Sequence, residues 1–342
     1  MGIKDLFKRE KESQPQYIGY TNNSKIGIRG NNFVISLSEC ANEISAQISR
    51  TDSVFTFIEY ANEITSALPA IVSHPNTASA FLLSYGCEAK SSREFAVELR
   101  ELNPNIEFLE LENGLISEFA MTIGPAVLQE LKFQASPGLA EIPSPMIAVI
   151  AEARDERVSE LIDALSKAQI DVHEFIGASN SPDALHKAAE AGALAIVNFT
   201  QRNQYPSGTH ISPTINIESG SEFHQKFAAD FDLGVTATAN EILQSVQVTI
   251  GRSPTASEIA QCCEAYGEQA TSIGLRVLNP ILSNFARDLA ENISTAQVKI
   301  AIGTGSEVNN IAQSQREGYE IFTISDHGSL FGLAEALTKK LQ

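Results

Sequence analysis

The sequence predicts an α/β protein with doubly wound, mostly parallel sheets and helices on both faces, organised as two Rossmann-like units. Short apolar runs of strand length alternate with amphipathic stretches of helical length, which is typical of parallel strands joined by helical crossovers. One proline-rich break, ASPGLAEIPSP at 135–145, interrupts this alternation, and the pattern restarts after it. Because 342 residues also favour two domains, we predict a first unit at 15–135 and a second unit at 146–342.

In both units the predicted strands are short apolar runs, and the predicted helices carry apolar residues three or four positions apart. The strands are expected at 33–38, 79–84, 105–111, 146–151, 170–175, 194–199, 298–302 and 320–324. The helices are expected at 41–49, 92–102, 116–132, 154–167, after Ser181-Pro182, and at 240–249, 255–271, 281–293, 307–315 and from Ser329. We expect the final module, 298–342, to add to or cover the sheet of one unit.

The charge balance limits the classes of partner. Lys and Arg number 24 against 42 Asp and Glu, a formal net charge of -18. Such a surface repels phosphate backbones and anionic lipid, so we expect no nucleic acid and no membrane partner. A small acidic substrate stays compatible with it, because backbone N–H groups and a few arginines can build a local anion site.

The cysteines and the first residues indicate a cytoplasmic protein. Cys40, Cys87, Cys262 and Cys263 form no evenly spaced disulfide framework, and the adjacent pair falls within a predicted helix, where burial is favoured. Residues 1–12 alternate charges and lack the apolar centre of a signal peptide. No apolar run reaches the ~18 residues that a membrane span needs.

Several short motifs, in order along the chain, resemble the large catalytic region of the altronate/galactarate dehydratase family. The first-half motifs are Gly19-Tyr20 with Gly27 and Arg29, then Cys40-Ala41-Asn42, His74-Pro75-Asn76 and Gly86-Cys87-Glu88. The second-half motifs are Phe199-Thr200 with Arg202, Gly208 and Pro213, and then Asp230-Phe231-Asp232-Leu233-Gly234. The resemblance covers about residues 19–243, with gaps.

The chain also departs from this family. A His-x-x-Gly-Cys segment of the family is replaced by FIEYA at 57–61, and a Gly-Gly-Leu-Thr-Thr loop has no counterpart. The small antifreeze-like (SAF) domain of some members is missing, and residues after about 253 match nothing in the family.

The resemblance implies a lyase that eliminates water, or another β-leaving group, from a small sugar acid or hydroxy acid with metal assistance. It implies catalytic roles for His74, Glu88 and Arg202, and substrate binding by Arg29, Asn42, Thr200 and Arg202. It implies a divalent metal, iron or manganese, held by Cys40, Cys87, Asp230 and Asp232. A small SAF-type subunit and a homo-oligomer are the protein partners that it allows. The departures favour the alternative of a catalytically inactive homologue that binds a ligand or a partner subunit.

Each of these residues also has a plain structural interpretation. The two cysteines can be small buried apolar residues, and His74 can cap a turn. Asp230 and Asp232 can be polar residues of a turn, and Arg202 can be a solvated loop residue. We nevertheless expect Cys40, His74 and Cys87 to converge, and we expect the site to lie where the loop after Cys87 faces the Arg202 loop.

Two loops near the end of the chain are further candidates. Gly303-Thr304-Gly305-Ser306-Glu307 follows a predicted strand and can be an anion-binding turn or a tight turn with Ser306 as helix cap. Ser325-Asp326-His327-Gly328 follows the next predicted strand. If the two strands are neighbours, both loops open at the same edge of the sheet.

Overall fold

The computed structural model describes residues 17–22, 24–59, 64–86, 92–111, 116–177, 182–202, 205–225, 228–260, 275–282, 300–316 and 319–341. Its parallel sheets flanked by helices confirm the predicted doubly wound α/β class. Within those ranges no helix combines the length and the apolar character needed to cross a membrane.

Strands and helices alternate through most of the described chain. The strands are β1 (Tyr17–Asn22), β2 (Lys25–Gly27), β3 (Asn31–Ser36), β4 (Phe55–Ile58), β5 (Thr77–Ser84), β6 (Ile106–Glu110), β7 (Leu139–Ile142), β8 (Met146–Ala151), β9 (Asp171–Ile176), β10 (Ala195–Phe199), β11 (Thr214–Ile217), β12 (Leu275–Val277), β13 (Ile300–Gly303) and β14 (Glu320–Thr323). The helices are α1 (Asn42–Ser49), α2 (Ile64–Ser73), α3 (Ser92–Leu102), α4 (Ile116–Gln134), α5 (Glu156–Lys167), α6 (Pro182–Glu190), α7 (Glu222–Gln225), α8 (Ala239–Ile250), α9 (Ala256–Ala260), α10 (Val308–Arg316), α11 (Ile324–His327) and α12 (Leu330–Leu341).

Two four-stranded parallel sheets have the same strand order. The first sheet runs β4-β3-β5-β6, and the second runs β9-β8-β10-β11 when read in the same direction. In each sheet the chain moves to one side of its first strand and then returns to the other side. Each central strand is buried along its whole length or nearly so, as β5 is at every position, which is why the middle of β5 is the apolar run AFLL at 80–83.

This strand order creates a topological switch point in each sheet. The connections after β3 and β5 leave the first sheet in opposite directions, and those after β8 and β10 do the same in the second. Ligands of doubly wound proteins bind in the crevice that such diverging connections leave at the carboxyl ends of the strands. The first crevice lies between β3 and β5, and the second lies between β8 and β10.

The two sheets share one layer of core. Helices α2 and α6, which occupy equivalent places in the two units, contact each other between the sheets. Their apolar residues form one cluster with β3 and β5 on one side and with β8 and β10 on the other. Helices α1 and α4 cover the outer face of the first sheet, and α5 and α8 cover the outer face of the second.

The proline-rich segment 135–145 contains a strand that the sequence did not reveal. Strand β7 pairs with β1 in an antiparallel sheet of order β2-β1-β7. Tyr17 and Ile142 of this sheet, and Ile28 directly after β2, pack into the outer core of the second unit together with Ile147 and Val149 of β8. The predicted boundaries of the two units stay a prediction.

The final module forms a separate three-stranded sheet together with β12, which precedes it in the chain, and does not extend either larger sheet. Strands β12, β13 and β14 are parallel, and their core includes Phe322, Leu333 and Leu337. Phe231 from the second unit belongs to the same cluster, so the module packs against that unit and does not extend freely from it. The predicted helix at 281–293 starts in a 3-10 turn, Pro280–Leu282, and the rest of it lies outside the described residues, as does 261–271 of the helix predicted at 255–271.

Candidate functional site

Asn76 of the His-Pro-Asn motif ties the two units together. Its side chain is fully buried, and its Oδ1 accepts hydrogen bonds from the N–H groups of Ile28 (2.8 Å) and Arg29 (3.2 Å). Its Nδ2 donates to the carbonyls of Leu194 (2.9 Å) and Ile211 (3.1 Å), which precede β10 and β11. The motif therefore connects the amino-terminal edges of the two parallel sheets.

Gly27 permits the close approach at this corner. A Cβ atom on Gly27 would lie 2.1 Å from the carbonyl oxygen of Pro75 and 2.8 Å from the backbone nitrogen of Asn76. No side chain fits there without moving the backbone, so the glycine of the first motif serves packing.

His74 is a buried, neutral imidazole at the amino-terminal end of β5. Its Nδ1 accepts a hydrogen bond from the N–H of Asn76 (3.0 Å), and its Nε2 has no hydrogen-bond partner within the described chain. Burial lowers the pKa of His74 to about 3, which the carbonyl of Ala193 partly opposes and the charge of Lys25 reinforces. The turn-capping interpretation agrees with this geometry.

The expectation that His74 converges with Cys40 is wrong, and its part that concerns Cys87 lies outside the described residues. Asn31 pairs with Thr77 and Ser36 pairs with Leu83, so β3 and β5 run side by side in the same direction. Cys40 follows the end of β3, whereas His74 precedes the start of β5. The six paired residues span about 20 Å, which separates the imidazole from the edge where Cys40 lies.

Arg29 has no donor left for a substrate carboxylate, which contradicts the role that the resemblance implies for it. Its Nε and Nη2 donate to the two carboxylate oxygens of Glu258, at 2.8 and 3.0 Å. Its remaining N–H groups donate to the carbonyls of Ile28 and Thr249 (both 3.2 Å) and Ser253 (2.8 Å). Guanidinium has five N–H donors, and all five have acceptors here.

One of the predicted metal ligands, Cys40, lies at the first crevice, between β3 and β5. Cys40 is an exposed free thiol after β3, and Asn42 starts α1 with its Nδ2 donating to Glu59 Oε1 (3.2 Å). The N–H of Tyr85 donates to Ser38 Oγ (3.3 Å), so the turns after β3 and β5 lie side by side. Cys87 and Glu88, which follow that second turn, lie outside the described residues.

The two aspartates predicted as metal ligands are engaged in structural contacts. Asp232 accepts the N–H of Ala256 on Oδ1 (2.7 Å) and the N–H of Asn216 on Oδ2 (2.8 Å). Burial raises the pKa of Asp232, the two backbone donors lower it, and Glu258 raises it. Asp230 accepts from the hydroxyl of Tyr205 (2.7 Å). The described ranges, which do not include Cys87, contain no group of three His, Cys, Asp or Glu side chains that could hold a metal ion.

Buried amides and a hydroxyl lie at the carboxyl ends of β10 and β11. Asn198 Nδ2 donates to Asn216 Oδ1 (2.9 Å), and Asn216 Nδ2 donates to the carbonyl of Ser207 (3.0 Å). The hydroxyl of Thr200 also donates to Asn216 Oδ1 (3.4 Å). Asn198 Oδ1 is buried and has no hydrogen-bond partner in the part of the chain that the structure covers.

Arg202 lies at the mouth of the second crevice, just beyond β10. Its side chain is exposed, while its backbone carbonyl accepts a hydrogen bond from Ser221 Oγ (2.5 Å). The backbone at Arg202 is therefore fixed by a side chain from after β11, and the guanidinium extends from a positioned loop.

Arg157 at the same crevice was missed by sequence analysis. It occupies the second position of α5, directly after β8, and its guanidinium lies 5.3 Å from the ring centre of Phe199 at the end of β10. Nη1 donates to the carbonyl of Val235 (2.9 Å). A cation in the first turn of a helix opposes the helix dipole, and this is the sequence signal that could have marked Arg157.

A cavity of about 490 Å³ lies where the two units meet, at the amino-terminal edges of the sheets and away from both crevices. Asn31, Thr56, Thr209 and His210 are among its lining residues. Burial, reinforced by the charge of His186, lowers the pKa of His210 to about 4. At neutral pH this imidazole is therefore uncharged.

The predicted anion loop near the end of the chain is occupied by the chain itself. Glu307 Oε2 accepts the N–H groups of Thr304 and Gly305 (both 3.1 Å), and its Oε1 accepts from Asn279 Nδ2 (2.6 Å). The N–H of Ser325 donates to the carbonyl of Thr304 (3.1 Å), so this loop and the loop after β14 open at one edge, as expected for neighbouring strands. The tight-turn interpretation fits the loop.

Comparison with known proteins gives no family. No protein-family model and no curated protein matches the sequence. A solved structure described as a C2-type ketoreductase from a modular polyketide synthase aligns with 96% of this chain and 91% of its own, at 9% identity and a TM-score of 0.17. A likeness that weak carries no argument about fold or function, so the resemblance to the dehydratases rests on the motifs alone.

Proposed function

We propose that this chain is a homologue of the sugar-acid dehydratases that binds a small hydroxy acid or sugar acid in the crevice between β8 and β10. The observation that carries the proposal is the topological switch point there, with an exposed arginine, Arg202, on the loop directly after β10. Crevices of this kind are the usual ligand sites of doubly wound sheets. Arginine suits a carboxylate because its planar N–H groups match the two oxygens.

The contacts of the motif residues support binding without metal-assisted elimination. Arg29 has all its donors in contacts within the chain, Asp232 accepts two backbone N–H groups, and Asn76 joins the two units. These residues stabilise the fold whether or not a reaction takes place. An exposed free thiol at Cys40 supports a reducing, cytoplasmic location for such a protein.

Thermal unfolding with matched ligands tests the proposal. Galactarate, tartrate and glycerate should raise the melting temperature in proportion to the logarithm of their concentration, because a ligand that binds only the folded chain stabilises it by mass action. Galactitol, which has the hydroxyl groups of galactarate without the carboxylates, should leave it unchanged. The proposal fails if no hydroxy acid raises the melting temperature, or if galactitol raises it as much as galactarate does.

A lyase of the altronate/galactarate dehydratase type is a second candidate. The observation that favours it is the adjacency of the Cys40 turn and the turn after β5 in the first crevice, since Cys87 and Glu88 follow that second turn in the sequence. Metal analysis after anaerobic purification tests it, alone and with a small SAF-type subunit. Stoichiometric iron or manganese that Cys40→Ser removes would support the lyase, and a chain without either metal would count against it.

A further inference from the structure

We propose that Arg157 is an oxyanion-binding residue that receives the carboxylate of the ligand on its Nε and Nη2 atoms. The proposal rests on the function proposed above and names the group in the second crevice that holds the acid. Arg157 carries no role in the dehydratase motifs, all of which lie elsewhere in the chain.

The first step of the argument is the way the guanidinium is fixed. Nη1 donates to the carbonyl of Val235 (2.9 Å), which anchors one corner of the plane. Its central carbon lies over the ring of Phe199, 5.3 Å from the ring centre. A guanidinium that lies over an aromatic ring and donates to a carbonyl has lost part of its rotational freedom before any ligand arrives.

The second step concerns the two guanidinium nitrogens other than Nη1. Nε and Nη2 are shielded from solvent and have no hydrogen-bond partner in the described chain. These two atoms form the side of the guanidinium whose parallel N–H groups match the two oxygens of a carboxylate. The anchored corner and the unpaired edge together make a receptor for a planar anion, which becomes accessible when the groups that cover the edge move aside.

The third step is energetic. Arg157 as a whole is only partly buried, but its Nε and Nη2 atoms are shielded from solvent, and native proteins rarely leave shielded donors without a partner. Burial lowers the pKa of Arg157 and the nearby Asp155 carboxylate raises it, and no carboxylate of the described residues forms an ion pair with it. Asp155 instead accepts the N–H of Val158 (2.8 Å) as the cap of α5.

The fourth step concerns location. The unpaired edge belongs to the connection after β8, and Phe199 ends β10, so both sides of the switch point contribute to the receptor. Arg202 follows Phe199 by three residues on the loop at the same edge. Two arginines at one crevice favour a ligand with two acidic groups, or with one carboxylate beside polar hydroxyls. A carboxylate that reaches Arg157 has to displace the groups that now cover it.

Melting temperatures in sodium acetate, sodium oxalate, inorganic phosphate and sodium chloride at equal ionic strength test the proposal on the intact chain. These simple anions report on the guanidinium even if no hydroxy acid is the ligand. Acetate and oxalate should raise the melting temperature of the wild type above its value in chloride. Arg157→Lys should weaken the apparent affinity roughly tenfold or more, because an ammonium cannot offer two parallel donors.

Two further variants give a readout without any ligand. Arg157→Met removes the unpaired charge and keeps contact with the Phe199 ring, so it should raise the melting temperature in chloride and abolish the response to acetate and oxalate. Arg157→Gln keeps one donor for Val235 and serves if the methionine variant does not fold. Arg154→Met is the matched control: Arg154 pairs with Glu174 (3.2 Å), so it should retain the response and gain no stability.

The outcomes separate this proposal from the proposed function. A response to acetate that Arg157→Lys weakens and Arg157→Met abolishes supports the Arg157 site. This holds even where galactarate and tartrate fail and the proposed ligand class is thereby wrong. Variants at Arg157 that respond to acetate as the wild type does overturn the site, whatever the hydroxy acids do. A response to phosphate without one to acetate or oxalate also overturns it, because the site is proposed for a planar carboxylate.

Discussion

Titration of His74 should make the stability of this protein fall as the pH is lowered from 7 to 5. The pKa of the folded imidazole is lowered from its ordinary value of 6.5 to about 3, chiefly by burial. The unfolded chain therefore binds a proton over a pH range in which the folded chain does not. Stability from this residue is fully present above pH 6.5 and is lost as the pH falls toward 3.

The size of the effect follows from the two pKa values. At pH 5 nearly every unfolded imidazole is protonated and almost no folded one is, so the free energy of unfolding is lower by about 2 kcal/mol than at pH 7. The side chain is 4% exposed, so solvent screening takes little from this figure. His210, whose pKa is also lowered, adds a loss of the same sign.

Urea unfolding at pH 7 and pH 5 of the wild type and His74→Asn measures this difference. Asparagine can still accept the N–H two residues later, as Nδ1 of His74 does from Asn76, while it cannot take up a proton. His173→Asn, at an exposed position of β9, is the matched control and should keep the wild-type pH dependence. The reasoning is refuted if His74→Asn loses as much stability between the two pH values as the wild type loses.

Three further predictions concern residues of the motifs. Arg29→Lys should lower the free energy of unfolding by about 2–4 kcal/mol, because lysine leaves Glu258 and the backbone carbonyls short of donors. The control Arg93→Lys, in the exposed pair with Glu110, should cost less than about 1 kcal/mol. Equal losses of the two variants in urea unfolding would contradict the prediction. Asn76→Ala should lower the free energy of unfolding by at least about 3 kcal/mol in the same assay, since four backbone groups lose a hydrogen-bond partner. A cost as small as that of Asn240→Ala, at an exposed position, would show that the Asn76 contacts between the two units do not stabilise the fold. Arg202→Lys should weaken hydroxy-acid binding by about 1.5–3 kcal/mol in calorimetric titration, without changing the melting temperature of the free protein. Unchanged binding would mean that Arg202 is an ordinary loop residue.

The sequence predicted the central strands and the longer helices because their apolar patterns are unambiguous. Strand β8 and helix α3 have the predicted bounds, and β5 begins two residues earlier than predicted. The edge elements were missed for physical reasons. Strands β1 and β7 are only partly buried, and β7 lies in a segment where three prolines indicate a linker. Helix α2 carries Pro69 within it, which obscures its helical pattern.

The candidate site could be predicted only in its location. Parallel strands place their connections at one edge, so the residues after β3, β8 and β10 could be assigned to crevices in advance. Which side chains stay available there depends on tertiary pairing. Arg29 meets Glu258 from 229 residues away, and Arg157 lacks such a partner among the described residues. A motif records which residue types are present but not which of them have their hydrogen bonds satisfied elsewhere in the chain.

The contact between α2 and α6 makes the two units resemble a twofold dimer contained in a single chain. Like helices from two units of the same strand order cover each other's apolar faces, as they do in isologous interfaces between identical subunits. A chain cut within 135–145 would expose this layer on both fragments, and the fragments should reassociate. Because the two units differ in sequence, the crevices need not be alike. One has a thiol after its first strand and the other has arginines, a difference that a homodimer of identical units cannot have.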